Sequence, residues 1–400
     1  MISITSLLLD KELETKKHVE SLAFNRAASS IGETKAIDYI EKELKSVKLD
    51  SQYEYFQWTG PTRILMRVSY LVVITYLLLS RLFLLLILYI VIKVSFERTR
   101  QLTLVKKESS KNIYTKIPAK EERFKRPVVI FSAHYDSISA NISFRTQVMM
   151  FLIYRLIIGF YICIIFILSI WLTLDILSNN YTIPTDVIIL VSILSLFGIG
   201  TSIPILYLVF NEKPSSSSID NASGVAILIE LAKLFKKNPL EKFDIYFVWT
   251  GAEEWGLKGS KKFCSDHFFH LNEEYDLNKS ININIDMVGT YIGLLDKVGF
   301  PLKKRLNKNI NNILEATANS LNIPINRFNK MIEPKSDHTI FRRCARRARK
   351  KLQIVFFHSD KDSKYIHSLR DTPDKCTAEN LNGCLTICYQ ALRSIDLRVE

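Results

Sequence analysis

Asp244-Ile-Tyr-Phe-Val-Trp-Thr250-Gly-Ala-Glu253-Glu254-Trp-Gly256 decides how this chain is built. Asp244 to Thr250 is short, apolar and rich in β-branched and aromatic residues, the mark of a buried strand. It runs straight into small residues and two adjacent carboxylates. Three other segments read the same way: Pro127 to Ala133, Ser280 to Asp286, and Gln353 to Phe357. Helical spacing lies around them, in Thr34 to Val47 (Ile37, Ile40, Leu44, Val47), in Val225, Leu228, Ile229, Ala232 and Phe235, and over 305–321 and 378–395. Strand alternating with helix predicts an α/β fold, a mixed central β-sheet flanked by helices. Sites in such sheets are built at strand ends.

Several chemistry-bearing residues fall at those ends. His134-Tyr-Asp136 follows the strand that closes at Ala133. A ring nitrogen of His134 can ligate a metal, and Asp136 can hold the ring. Asp220-Asn-Ala-Ser-Gly224 opens a helix; Asp220 is either an N-cap or a ligand. Glu253 and Glu254 point different ways in a turning chain, so one can bind metal while the other reaches water. Asp286 ends its strand, as a ligand or as a turn cap. Ser336-Asp337-His338 and His367-Ser-Leu-Arg-Asp371-Thr372 each offer a last histidine, and His358 is a further rival.

Composition adds a second component. The chain has 400 residues, enough for one large domain or two ordinary ones, with 48% apolar residues and a formal charge of +14. Blocks 68–92, 149–174 and 187–210 are apolar almost throughout, interrupted by Arg81 and Arg155. Each has about the 20 residues that a bilayer core requires. Asp175 to Asp186, with Pro184, joins the last two as a hairpin; this link has no Lys or Arg, whereas Arg145 and Lys213 lie outside it. The positive-inside rule puts both hairpin ends in the cytoplasm. The first block has basic residues at both ends and reads as either a hairpin turning near Arg81 or a single span. The N-terminus lacks the pattern of a signal peptide. The charge flanks the apolar blocks, which favours membrane lipid over nucleic acid as partner. Six cysteines without CxxC spacing exclude a zinc-finger pattern and do not form a secreted disulfide framework.

Taken in order, H-Y-D, D-N-A-S-G-V-A, G-A-E-E-W-G-L-x-G-S, I-D-M, S-D-H and H-S-x-x-D-T resemble metallopeptidase family 28, the di-zinc aminopeptidases and glutamate carboxypeptidase-like enzymes. The resemblance spans about 1–60, 111–138 and 214–400. It implies the zinc-aminopeptidase fold and two Zn2+ per chain. His134 and Asp286 would hold one ion, Glu254 and His367 the other, and Asp220 would bridge them. It also implies Glu253 as general base and then acid, Asp136 as orienter of His134, and Asp337 and His338 as substrate-binding residues. Nitrogen and oxygen donors without thiolate suit zinc. Two ions bring four positive charges against three carboxylates, and one hydroxide would neutralise the cluster.

The expected organisation is a peptidase domain in pieces, 1–60 and 111–144, then 213–400, with membrane insertions at 62–98 and 145–212. The expected activity is release of N-terminal residues from peptides by a multi-pass membrane protein whose peptidase domain is cytoplasmic. Alternatives on the same fold are a carboxypeptidase, a deacylase or a glutaminyl cyclase. A silent membrane adaptor would be free to lose ligands, and none is missing. A transporter would need more crossing helices with polar midplane residues. One stretch departs from the family: residues 342–351 carry seven Lys or Arg and no acid. It reads as a solvated helical face or as a contact with anionic lipid.

Overall fold

The computed structural model describes residues 14–59, 62–80, 82–99, 107–140, 142–178, 185–211 and 213–398. The chain divides into two compact units. The first is Met1–Trp58, Ser109–Phe144 and Lys213–Glu400; the second is Thr59–Glu108 and Arg145–Glu212.

The first unit is built on a nine-stranded mixed sheet. Its centre is four parallel strands, β4 (Asp244–Thr250), β3 (Val128–His134), β5 (Ile281–Ile285) and β9 (Gln353–Phe357), in that order. On one side β2 (Glu108–Ile117) runs antiparallel to β4, with β1 (Gln52–Trp58) at the edge. On the other, β6 (Gly293–Val298) is antiparallel to β9 and carries β7 (Lys304–Arg305) and β8 (Asn326–Lys330). The inner strands are the four read from apolar runs. Of the outer ones, β7 and β8 are polar, as in Asn-Arg-Phe-Asn-Lys of β8, and carry no such signal.

Alternate residues of a strand face opposite sides, so β3, β4 and β9 feed two cores, while β5 turns Ile281, Ile283 and Ile285 to one of them and Asn282 and Asn284 to the other side. Val129, Phe131 and Ala133 pack with α1 (Ile31–Lys45), α7 (Ser223–Lys237), α9 (Ile310–Ser320) and α11 (Ala378–Asp396). Val128 and Ile130 pack with α8 (Lys258–Glu274) and α10 (His338–Arg347). The helix expected over 305–321 starts only at Ile310, because Lys304–Arg305 pairs with β6.

Register places the site. His134 lies opposite Thr250, Ser132 opposite Asn284, and Ile285 opposite Phe357. The four parallel strands therefore end in one row, and the segments that follow them share one edge.

In the second unit, α2 (Thr62–Leu79) and α3 (Phe83–Thr99) pack as an antiparallel pair, with the Tyr70 and Tyr89 rings 6.1 Å apart. The first apolar block is thus two helices rather than one span; Arg81, the expected turn, lies outside the described residues. α4 (Phe144–Leu177) is continuous, and α5 (Thr185–Gly200) gives way to α6 (Ser202–Phe210). Pro204, near the start of α6, has no N–H for the preceding turn. The stretches Phe144–Asp175 and Thr185–Leu208 are long and apolar enough to cross a membrane. Thr75 Oγ1 meets Tyr161 OH at 2.7 Å, which meets Ser195 Oγ at 3.2 Å. This hydroxyl chain links α2, α4 and α5, the kind of polar contact that holds apolar helices together.

Candidate metal centre

The residues after the strand ends converge. His134 Nε2 lies 3.0 Å from Asp220 Oδ1 and 3.5 Å from Asp286 Oδ1. His367 Nε2 lies 3.1 Å from Asp220 Oδ2 and 3.0 Å from Glu254 Oε1. Two groups that could hold a metal ion result, His134–Asp220–Asp286 and Asp220–Glu254–His367, sharing Asp220 through its two oxygens. All five residues singled out as ligands from the sequence are in the cluster. His338 and His358 are not: His358 Nδ1 is 3.1 Å from the Asp286 carbonyl oxygen, and His338 Nε2 is 3.1 Å from Glu333 Oε1.

Local conformation aims these side chains. Ala252 (φ 49°), Met287 (φ 82°) and His367 (φ 52°) all lie in the left-handed region, next to or at cluster residues. Non-glycine residues rarely adopt it, and where they do the surrounding structure holds them there. The Asp220–Asn221 peptide is cis. Asn221 Oδ1 accepts from Gly224 N at 3.0 Å, and its amide donates to the Ile285 carbonyl at 2.9 Å. This ties the start of α7 to the end of β5. A Cβ on Gly224 would sit 2.3 Å from the Ile285 carbonyl oxygen. Gly224→Ala is therefore expected to destabilise the first unit by about 1–3 kcal/mol and to lower metal retention, read by thermal melting and metal analysis.

Asp136 does more than expected of it. The His134 ring Nδ1 is 3.1 Å from the Asp136 backbone carbonyl and 3.7 Å from its carboxylate. A proton on Nδ1 directed at that carbonyl leaves the Nε2 lone pair facing Asp220 and Asp286. The Asp136 carboxylate accepts the backbone N–H of Glu253 at 2.9 Å and of Glu254 at 3.2 Å. It fixes the turn that carries both glutamates.

Electrostatics show an excess of buried negative charge. Burial holds the Glu253 carboxyl well above its usual range, and Glu254, Asp286 and Asp337 add to that. Burial also lifts Glu254 to about 7. His134 is fully buried, which disfavours its charge, yet Glu253 and the surrounding aspartates drive its pKa up; burial and then Glu254 act likewise on His367. Asp220 stays low despite burial because the His134 and His367 rings beside it favour its charged form. Glu254 Oε1 and Asp286 Oδ1 are buried without a hydrogen-bond donor, their imidazole neighbours being misaligned. Oxygens that burial deprives of partners, beside two imidazoles and a shared carboxylate, fit divalent cations.

Asp337 and His338 lie behind the centre. Both are fully buried, and Asp337 Oδ2 accepts from Thr250 Oγ1 at 2.5 Å. Asp337 Oδ1 and His338 Nδ1 have no hydrogen-bond partner among the described residues. His367, at 18% side-chain exposure, is the most open member of the cluster.

Two contributors were given no role from the sequence. Arg26 is fully buried and donates to the carbonyls of Tyr135 (2.9 Å), Ser216 (3.0 Å), Ser217 (2.8 Å) and Phe24 (3.0 Å), and also to Leu22. It joins the segment after His134 to the segment before Asp220. Asp371, within the quoted H-S-x-x-D-T stretch, accepts the N–H of Ile219 at 2.6 Å and of Asp220 at 3.2 Å. Burial lifts it to about 7.

Residues 210–392 match the family model for peptidase family M28. This part of the chain belongs to peptidase family M28. In this chain, 76 residues are 40% identical to the aminopeptidase YwaD of Bacillus subtilis (strain 168), covering 19% of the chain and 16% of that relative. The chain thus matches about one sixth of the relative's length. Among solved structures, an aminopeptidase from Aneurinibacillus sp. strain AM-1 is 14% identical, with a TM-score of 0.56 over 95% of this chain and 93% of that one. A zinc aminopeptidase from Bacillus subtilis is 14% identical, with a TM-score of 0.53 over 96% and 95%. A glutaminyl cyclase from Macrostomum lignano is 10% identical, with a TM-score of 0.57 over 99% and 93%. At these identities the likeness is one of fold, and it agrees with the mixed sheet flanked by helices.

Proposed function

We propose that this protein is a membrane-associated zinc exopeptidase that releases N-terminal residues from peptides. The observation that carries the reading is the pair of three-residue groups sharing Asp220 at the M28 strand edge. His134, Asp220 and Asp286 would hold one zinc, and Asp220, Glu254 and His367 the other. When bound, zinc supplies Lewis acidity and lowers the pKa of water.

The chain's own groups do the rest. Glu253 is buried beside the cluster and stands apart from its two groups of three. Its raised pKa suits a base that takes a proton from the attacking water and returns it to the leaving amine. Asp136 keeps Glu253 in place through the backbone, so proton transfer needs no rearrangement of the turn. Asp371 and Arg26 hold the Asp220 segment, which presents one oxygen to each group.

The second unit would anchor the protein as inserted helices, with the peptidase unit on the cytoplasmic side. Lys213 N donates to the Ser139 carbonyl at 3.4 Å, so the chain leaves and re-enters the first unit at adjacent points, as an insertion requires. At the other break Ser29 Oγ donates to the Ser109 carbonyl at 2.8 Å and accepts from Trp58 Nε1 at 3.2 Å.

The test is zinc content together with hydrolysis of aminoacyl-nitroanilides by the detergent-purified chain, with N-acetylated versions in parallel. Two zincs per chain and cleavage of free-amine substrates alone are the expected result. Removal by a chelator should abolish cleavage, and zinc should restore it. Two zincs without cleavage would move the assignment to a carboxypeptidase or deacylase. One zinc, with cyclisation of N-terminal glutamine, would move it to a glutaminyl cyclase. No metal and no turnover would leave a silent adaptor.

A further inference from the structure

The basic run that departs from the family pattern forms one wall of a cavity that includes none of the metal-cluster residues. The cavity measures 340 Å³ and gathers Lys304, Arg305, Arg342, Arg346 and Lys350 around one acid, Glu333. That acid is already engaged: Oε1 lies 3.1 Å from His338 Nε2, and Oε2 pairs with Arg342. Lys304, Arg305, Arg346 and Lys350 have no acidic partner among the described residues. Four cations facing one cavity repel each other, and an anion relieves that cost. Leu352, on the cavity wall, precedes β9, whereas His358 follows it. The Leu352 side of the cavity is therefore at the opposite end of β9 from His358, and Glu333 is the lining residue that reaches toward His338.

Large apolar side chains stand beside the cavity, largely exposed. Phe300 and Leu302, between β6 and β7, are 75% and 79% exposed; Ile332, just after β8, is 84% exposed. The two turns are neighbours, since Gly299 N donates to the Lys330 carbonyl at 3.1 Å. Cations around a cavity with exposed apolar tips next to it match an anionic membrane surface, where phosphate meets the cations and the tips enter the headgroup boundary. A nucleic acid would call for a stacking platform, and Phe300 is the one aromatic ring among these tips. An acidic protein segment would satisfy the cations and leave the tips in water.

We propose that this face docks the first unit on an anionic bilayer, with the cavity taking the headgroup phosphate of a lipid and Phe300, Leu302 and Ile332 inserting beside it. The proposal is independent of the peptidase reading, and its test needs no turnover.

The experiment is hydrogen–deuterium exchange on the full chain in nanodiscs of phosphatidylcholine alone and of phosphatidylcholine with phosphatidylserine. Slower exchange over 299–306, 330–333 and 342–352 in the phosphatidylserine discs alone is the expected result. Arg346→Glu with Lys350→Glu should return exchange to the neutral-disc rate. Phe300→Ser with Ile332→Ser should do the same for 299–306 and 330–333. Unchanged exchange in β3 and β5 would report that the variants fold. Equal exchange in the two discs would overturn the proposal. So would protection in neutral discs by inorganic phosphate, which would make the cavity a small-anion site. Protection only on adding polyglutamate would overturn it in favour of an acidic protein partner.

Discussion

Glu253→Gln is expected to retain zinc at the wild-type level and to lose about 10²–10⁴ of kcat, the usual share of a general acid–base group. The substitution keeps the side chain's size and leaves the backbone N–H that Asp136 holds at 2.9 Å. Both three-residue groups remain whole, because neither includes Glu253. What disappears is a carboxylate that burial holds ready to carry a proton. KM should move little, so the loss should appear in kcat and kcat/KM alike. Metal analysis and steady-state kinetics on one preparation decide it. Zinc lost together with activity would mean that Glu253 is a ligand and that the roles of the two glutamates are reversed.

Arg26→Met should unfold or severely weaken the first unit although it touches no proposed ligand side chain. The guanidinium satisfies the buried carbonyls of Tyr135 and Ser217 and the partly buried carbonyls of Ser216 and Phe24 at 2.8–3.0 Å. Methionine fills a similar volume and donates nothing. Several buried carbonyls would be stranded, and Asp136, Asp220 and Asp371 would lose a nearby positive charge. Removing one side of such a buried arrangement costs about 3–5 kcal/mol, a fall in Tm of roughly 10 °C. Zinc affinity should fall as well, because the segments carrying His134 and Asp220 would no longer be tied together. Arg26→Lys should not rescue it, since a point charge cannot reach carbonyls on two segments. A Tm within 2 °C, roughly 1 kcal/mol for a domain of this size, would show that water replaces the guanidinium.

Three of the five cluster residues, His134, Glu254 and Asp286, were legible because each follows an apolar run that stops; Asp220 and His367 were legible only through the motifs around them. A buried strand ending in His134, Asp286 or the Glu253–Glu254 pair is conspicuous in one dimension. Asp337 and His338 were legible as a motif, but their burial was not. Their neighbours in the chain say nothing of Thr250 and Glu333, whose side chains hold them inward. Arg26 was invisible. It lies in Phe-Asn-Arg-Ala-Ala, without periodicity, and its partners are main-chain oxygens near residues 135 and 216. A residue that works by binding backbone leaves no complementary side chain to recognise. The edge strands were missed for a related reason: β7 and β8 are polar and pair only because β6 is beside them.

By itself, the sequence determined the α/β class, the four central strands, the apolar helices and the donor set of the site. All of these follow from local runs and periods, which water and the backbone enforce residue by residue. Only the tertiary structure decided that Asp220 serves both groups, that Asp136 holds the glutamate turn, and that a buried arginine joins two of the segments carrying the cluster. It also decided that the basic run faces a cavity at the far end of β9. Those are relations between segments roughly a hundred residues or more apart in several cases. They are set by strand register and by the need of buried polar groups for partners, and neither is written at any one position of the chain.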